Sequence, residues 1–190
     1  MKIMTIGDTA TSWGPVSRVL HWVAAALILV LVAHGYWMTD FAPRGSHVPH
    51  YMWHASVGYA LLALMFVWLF WRLGNTSPRL PAGPAWERVA VVAGHSVLYA
   101  MVFAAAFTGW ALAGTARKPL DSMFGLLRLP PIVNAAPDPE RALHATLGTW
   151  HSIAAWTLVA LVALHVAVAV WHWVVRKDDV VQRMIHSATQ

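Results

Sequence analysis

Cysteine is absent from the 190-residue chain. That excludes thiolate zinc sites, iron–sulfur clusters held by cysteine, disulfides and haem attached through C-x-x-C-H, so any metal must rest on histidine. Charge is scarce too: Asp, Glu, Lys and Arg make up 11% of the residues, against roughly 25% in a soluble domain. No Asp or Glu interrupts the apolar runs 19–38, 52–71, 89–114 and 147–175. A proton relay or a divalent-metal permease normally needs such intramembrane carboxylates, so histidine-based metal transport is the weaker reading. What is abundant is apolar surface, with 58% hydrophobic residues and a mean hydropathy of +0.55.

Each apolar run meets the roughly 20 residues that a helix needs to cross a bilayer. The expected fold is all-α: a single membrane domain over 1–190, a four-helix bundle with helices at about 15–38, 52–73, 87–114 and 144–175. An outer loop at 115–143 joins the last two helices and carries a short amphipathic segment, Met123 to Leu127, read as a short helix or turn lying on the outer face of the bundle. The first run lacks a small-residue cleavage site and carries a histidine near its start, so a retained helix and a mature chain beginning at Met1 are expected. Residues 1–14 read as a polar, poorly patterned tail, and Pro15 suits a helix start. Lys2, Arg18, Arg72, Arg79, Arg88, Arg176, Lys177 and Arg183 fall on the side of both termini, against Arg44, Arg117, Lys118, Arg128 and Arg141 opposite. The positive-inside rule then places both termini in the cytoplasm. The net charge of +5 sits in short loops beside spans, which points to the lipid bilayer rather than nucleic acid as partner.

Eleven histidines are many for a chain of this kind. His151 and His165 are separated by about 40° less than four whole helical turns and by about 21 Å along the axis, so they share one face at two depths. His144 and His172 continue the stripe in seven-residue steps. Beside it stand Gly148, Ala154, Ala155 and Ala169, small residues that let helices approach closely or leave room for a flat macrocycle. Helix direction sets depth: His21 matches His165 near the inner side, and His54, with Gly58 one turn on, matches His151 near the outer side. His34 lies about 140° around helix 1 from His21 and is read as an interfacial or lipid-edge residue. His47, His50 and His186 are read as loop or tail residues.

One buried histidine alone is satisfied by an interhelical hydrogen bond. Four with matched faces and depths fit bis-histidine haem better, since two axial imidazoles saturate the iron and favour electron transfer. His95, near the inner end of helix 3, competes with His21 as an inner ligand or hydrogen-bonds a propionate or quinone. His172, Arg176 and Lys177 lie beyond His165, where they would hold propionates or a quinone headgroup, or simply serve topology by snorkelling.

His21-Trp22, His54 with Gly58, Gly94-His95 followed by Leu98-Tyr99 and Thr108-Gly109, Phe124-Gly125-Leu126 with Pro130, Trp150-His151, His165, Lys177-Asp178 and Arg183-Met184 together resemble the bacterial cytochrome b561 family over about residues 13–186. The resemblance implies a multi-pass protein of the bacterial inner membrane with two haems b, ligated by His21 and His165 and by His54 and His151, exchanging electrons with ubiquinone. Such proteins include a superoxide oxidase, an oxidoreductase that passes an electron from superoxide to quinone. Related subunits instead relay electrons for a hydrogenase or other dehydrogenase, but the compact length matches the stand-alone type, so a protein partner is allowed and not required. Arg117, Lys118, Arg128 and Arg141, slightly outweighing Asp121, Asp138 and Glu140, would steer a small anion to the outer side, or form an ordinary solvated loop.

Overall fold

The computed structural model describes residues 6–43, 47–80, 83–116, 120–133 and 141–185. Four long helices dominate it: α1 Pro15–Asp40, α2 His47–Gly74, α3 Ala85–Gly114 and α4 Ala142–Trp171, the last continued by a π-helical turn His172–Arg176. A hairpin of β1 Ser122–Met123 and β2 Leu127–Arg128 lies between α3 and α4, and a single turn, α5 Gln182–Ile185, follows the π-turn. All four long helices are apolar enough to span a membrane. Four antiparallel spans bring both ends of the chain to one side, here called the termini end, and leave β1–β2 at the opposite, hairpin end.

Packing runs from α1 to α2, α2 to α3 and most extensively α3 to α4, whereas α1 and α4 scarcely touch. Midway along the bundle Ala24, Leu61, Met65, Val102 and Leu158 form the buried core, flanked by Leu27, Ile28, Trp68 and Val162. Large side chains such as Phe70 and Leu29 remain more than half exposed, as expected where lipid, not water, is the neighbour.

Three local expectations are corrected or refined. First, α2 begins at His47 rather than near residue 52. Pro49 falls in its first turn, where the missing N–H is not needed, so His47 and His50 are helical and not loop residues; His186 lies outside the described residues. Second, of the short helix or turn expected after α3 the turn is the one present, and it is set in a two-stranded hairpin. Ser122 pairs with Arg128 and Met123 with Leu127, around a turn with Phe124 at φ 52° and Gly125 at φ 74°. The Leu126 N–H closes the turn on the Met123 carbonyl at 3.0 Å, and glycine supplies the second of its two positive φ values at no steric cost. Ser56 holds the hairpin to α2, its hydroxyl accepting from the Phe124 N–H at 3.0 Å.

Third, residues 6–14 are an ordered strap. Asp8 accepts hydrogen bonds from the Gly14 N–H and the Ser17 hydroxyl, both at 2.7 Å, tying the strap to the start of α1. Trp71 Nε1 donates to Ser17 Oγ at 2.9 Å and the Arg72 guanidinium sits 4.8 Å from the Trp13 ring centre, which fastens the strap to α2. At the same end Trp22 Nε1 donates to the Met184 carbonyl at 2.9 Å, so α5 folds back onto α1.

Candidate functional site

The helices align histidines in pairs at two levels. Near the termini end the His21 and His165 rings have centroids 6.4 Å apart and planes at 50°. Near the hairpin end His54 and His151 lie 6.2 Å apart at 89°. An imidazole nitrogen binds a transition metal at about 2 Å and the ring centre lies about 1.2 Å behind it, so two imidazoles on opposite sides of one iron put their centroids about 6.3 Å apart. Both pairs have that spacing. The apolar core sits between them, with Leu158 of α4 on the stretch separating His151 from His165.

Hydrogen bonding bears on the same fit. The His151 Nδ1–H donates to the Ala105 carbonyl at 2.9 Å, with Thr108 Oγ1 at 3.4 Å. Since a carbonyl can only accept, the proton resides on Nδ1 and Nε2 keeps its lone pair, the arrangement common behind metal-bound histidines. The Nδ1 atoms of His21 and His54 are buried with no hydrogen-bond partner among the described residues, as are those of His34 and His47, so this feature does not single out the two pairs. Two glycines make space for these rings. A Cβ on Gly109 would stand 3.0 Å from His151 Cε1, and one on Gly35 3.2 Å from His54 Cε1. Gly58 has nothing within 4 Å of such a Cβ, which leaves the space beside His54 open. Among the described residues no three His, Asp or Glu side chains converge on a bare metal ion. The residues present therefore suit haem better than a non-haem metal.

His95 also reaches His165, at 5.3 Å between centroids, about 1 Å less than an iron between two rings requires; its Nδ1–H donates to the Val91 carbonyl at 2.7 Å. His34 does point away from His21, but toward α2 rather than to the lipid edge: its ring lies 4.5 Å from Trp53, 5.7 Å from His50 and 6.0 Å from His54. His144 ends the stripe against Thr115 Oγ1 at 2.9 Å.

At the termini end His172 Nδ1–H donates to Asp178 Oδ2 at 2.6 Å and Arg176 pairs with Glu87 of α3 at 2.7 Å, while Lys177 is exposed at φ 54°. At the hairpin end Arg128 is exposed on β2 and Arg141, half-buried, precedes α4 at φ 56°. Arg117 and Lys118 lie outside the described residues. Sequence reasoning gave no role to Gly35, Ala105 or Glu87. An isolated glycine inside an apolar helix is costly enough to ask for a reason, and that was the available signal for Gly35; the other two act through a backbone carbonyl and an interhelical ion pair, which leave none.

A lipid-spanning bundle that holds imidazoles pairwise at iron-bridging distance, with no cysteine, has the architecture of a membrane cytochrome. The chain belongs to the prokaryotic cytochrome b561 family, whose profile matches residues 12–187. It is 29% identical over 187 residues to cytochrome b561 homolog 2 of Escherichia coli (strain K12), covering 96% of this chain and 95% of that one. It is 30% identical over 174 residues to the probable superoxide oxidase CybB of Yersinia pestis, covering 87% and 91% respectively. The protein is accordingly a multi-pass haem b electron-transfer protein of the bacterial inner membrane.

Proposed function

We propose that the protein holds two haems b, one between His21 and His165 and one between His54 and His151, and that it carries electrons from a donor at the hairpin end to ubiquinone. When bound, each haem would supply one-electron redox chemistry, held by the imidazole pair at its level. The observation that carries this reading is the pair of centroid separations, 6.4 and 6.2 Å, repeated on one face of α4 at about 21 Å of helical rise. His21 is assigned over His95 because only its distance to His165 admits an iron.

The protein's part is to orient and insulate. Ala105 fixes the tautomer of His151, Gly35 and Gly109 seat the two outer rings, and the core around Met65 and Leu158 keeps water from the space between levels. The termini are assigned to the cytoplasm by the Lys and Arg bias, so the hairpin end faces the periplasm. Superoxide is the proposed donor: Arg128 and Arg141 stand at that end, Arg117 and Lys118 belong to the same connection, and a relative of similar length is named as a probable superoxide oxidase.

Stopped-flow mixing of the purified protein with superoxide tests this. Superoxide should be consumed faster than it disproportionates, only with ubiquinone present, and two superoxide ions should disappear per quinol formed. Superoxide decay unchanged by the protein and quinone would point to the rival role, a cytochrome subunit relaying electrons for a larger dehydrogenase.

A further inference from the structure

Arg72, at the termini end of α2, belongs to neither histidine pair, and its Nη1 is buried without a hydrogen-bond partner among the described residues. The buried imidazole nitrogens in the same condition can stay neutral, whereas a guanidinium keeps its charge at any physiological pH. A cation with a buried, unused donor calls for an anion. Arg18 also buries one such nitrogen, its Nε, but its Nη1 donates to the Ile185 carbonyl at 3.3 Å.

The described carboxylates at this end are already engaged. Asp8 accepts from the Gly14 N–H and the Ser17 hydroxyl, Glu87 binds Arg176, Asp178 binds His172 and Asp179 binds Arg183. Arg72 is nonetheless held in place, with its guanidinium carbon 4.8 Å from the Trp13 ring centre. The strap that carries Trp13 is fixed in turn through Ser17, whose Oγ accepts from Trp71 Nε1 at 2.9 Å. Depth follows from the same contacts. Ser17 is about one turn before His21 on α1, and Arg72 is about one turn beyond Trp68 on α2, whose ring stands edge-on 5.9 Å from that of His21. The guanidinium therefore belongs to the stretch between the His21–His165 pair and the termini end.

We infer that Arg72 is the cation that anchors a propionate of the haem held by His21 and His165, with Trp13 as its positioning residue. This rests on the proposed haem at that level. Haem b carries its two carboxylates on one edge of an otherwise apolar macrocycle. Burying that edge among apolar side chains is costly, so it turns to the nearer aqueous side, which for this pair is the termini end. A guanidinium presents a fork of donors that matches a carboxylate, and Nη1 is the donor that the rest of the chain leaves unused. A positive charge beside a haem also favours the ferrous state, which carries one positive charge fewer than the ferric. Arg72 thus raises the reduction potential of this level.

The experiment titrates apoprotein of wild type, Arg72→Gln, Arg72→Lys, Trp13→Ala and Arg79→Gln with haemin and with haemin dimethyl ester, whose propionates are uncharged. Arg79 is exposed at the same end and meets Ala10 and Arg183 through its backbone, so its variant controls for the loss of a positive charge. In wild type the ester should bind the His21–His165 level about tenfold more weakly than haemin. In Arg72→Gln haemin should weaken by that factor and the preference over the ester should vanish. Arg72→Lys should restore part of it, Trp13→Ala should retain a reduced preference, and Arg79→Gln should match wild type. Redox titration of the haemin-loaded proteins should show the ferric-to-ferrous equilibrium of this level shifted about tenfold toward ferric in Arg72→Gln, a fall of about 59 mV for one electron, with the other level unchanged. Equal binding of haemin and ester at this level of the wild type, a comparison that needs no variant to fold, overturns the anchor. An undiminished preference in Arg72→Gln overturns it too, and a loss of bound phospholipid phosphorus from that variant would then assign the guanidinium to a lipid phosphate. Failure of the wild type to bind haem between His21 and His165 overturns the proposed function as well.

Discussion

Changing His54 to alanine should remove about half of the bound haem, and changing His165 should do the same, because each ligand serves one level only. The two rings of a pair come from different helices, His54 from α2 and His151 from α4, so one deletion leaves an iron with a single axial imidazole at a site shaped for two. The reduced-minus-oxidised visible spectrum reads this directly: the sharp α and β bands of bis-imidazole haem should fall to half their amplitude while the remaining half keeps its shape. His34→Ala is the contrasting variant. His34 sits 6.0 Å from His54 yet belongs to neither pair, and its variant should keep both haems. Full haem retention in His54→Ala, or loss in His34→Ala, would reassign the ligands of the outer level.

Gly109→Val tests whether the glycines seat the rings. A Cβ at this position would lie 3.0 Å from His151 Cε1 and 3.2 Å from its Nδ1, tighter than most real contacts, so the ring would have to give by a few tenths of an ångström. Helix propensity opposes any loss, since most residues favour a helix over glycine by about 0.5–1 kcal/mol. Overpacking costs about 1–3 kcal/mol and falls on the ring itself, so the clash wins. Haem affinity at the outer level should drop by about tenfold to a hundredfold, using about 1.4 kcal/mol per factor of ten, while the inner level is unaffected. Titration of apoprotein with haemin, followed by the visible spectrum of each level, measures it. Equal weakening at both levels would mean that the substitution disturbs the whole bundle instead of the His151 seat.

The helices and their histidine faces were legible in the sequence because both follow from one number, the 3.6-residue period. It placed His151 and His165 on a common stripe and matched them by depth to His54 and His21. Rotation alone, however, does not say which neighbour occupies a face. His34 indeed turns away from His21, but α2 stands there, so a residue read as lipid-edge is packed on Trp53 and His54. The start of α2 was hidden by Pro49, which breaks a helix in its middle and is harmless in its first turn. The segment 123–127 was read as a short helix or turn because a five-residue apolar run has no distinguishable period; the strand pairing on either side of the turn is what the sequence hid. The strap escaped notice because Asp8 reaches Gly14 and Ser17 from six and nine residues away, outside any local pattern. Asp178 was readable as a motif member, but its pairing with His172 depends on a π-turn that no propensity signals.

The central claim, two iron-bridging imidazole pairs in one chain, is tested most directly by counting haem in the purified wild type. Extraction of the haem as its pyridine complex, set against protein concentration from amino-acid analysis, should give two haems b per chain. A ratio of one would contradict one of the two levels, and a colourless protein from cells well supplied with porphyrin would contradict both.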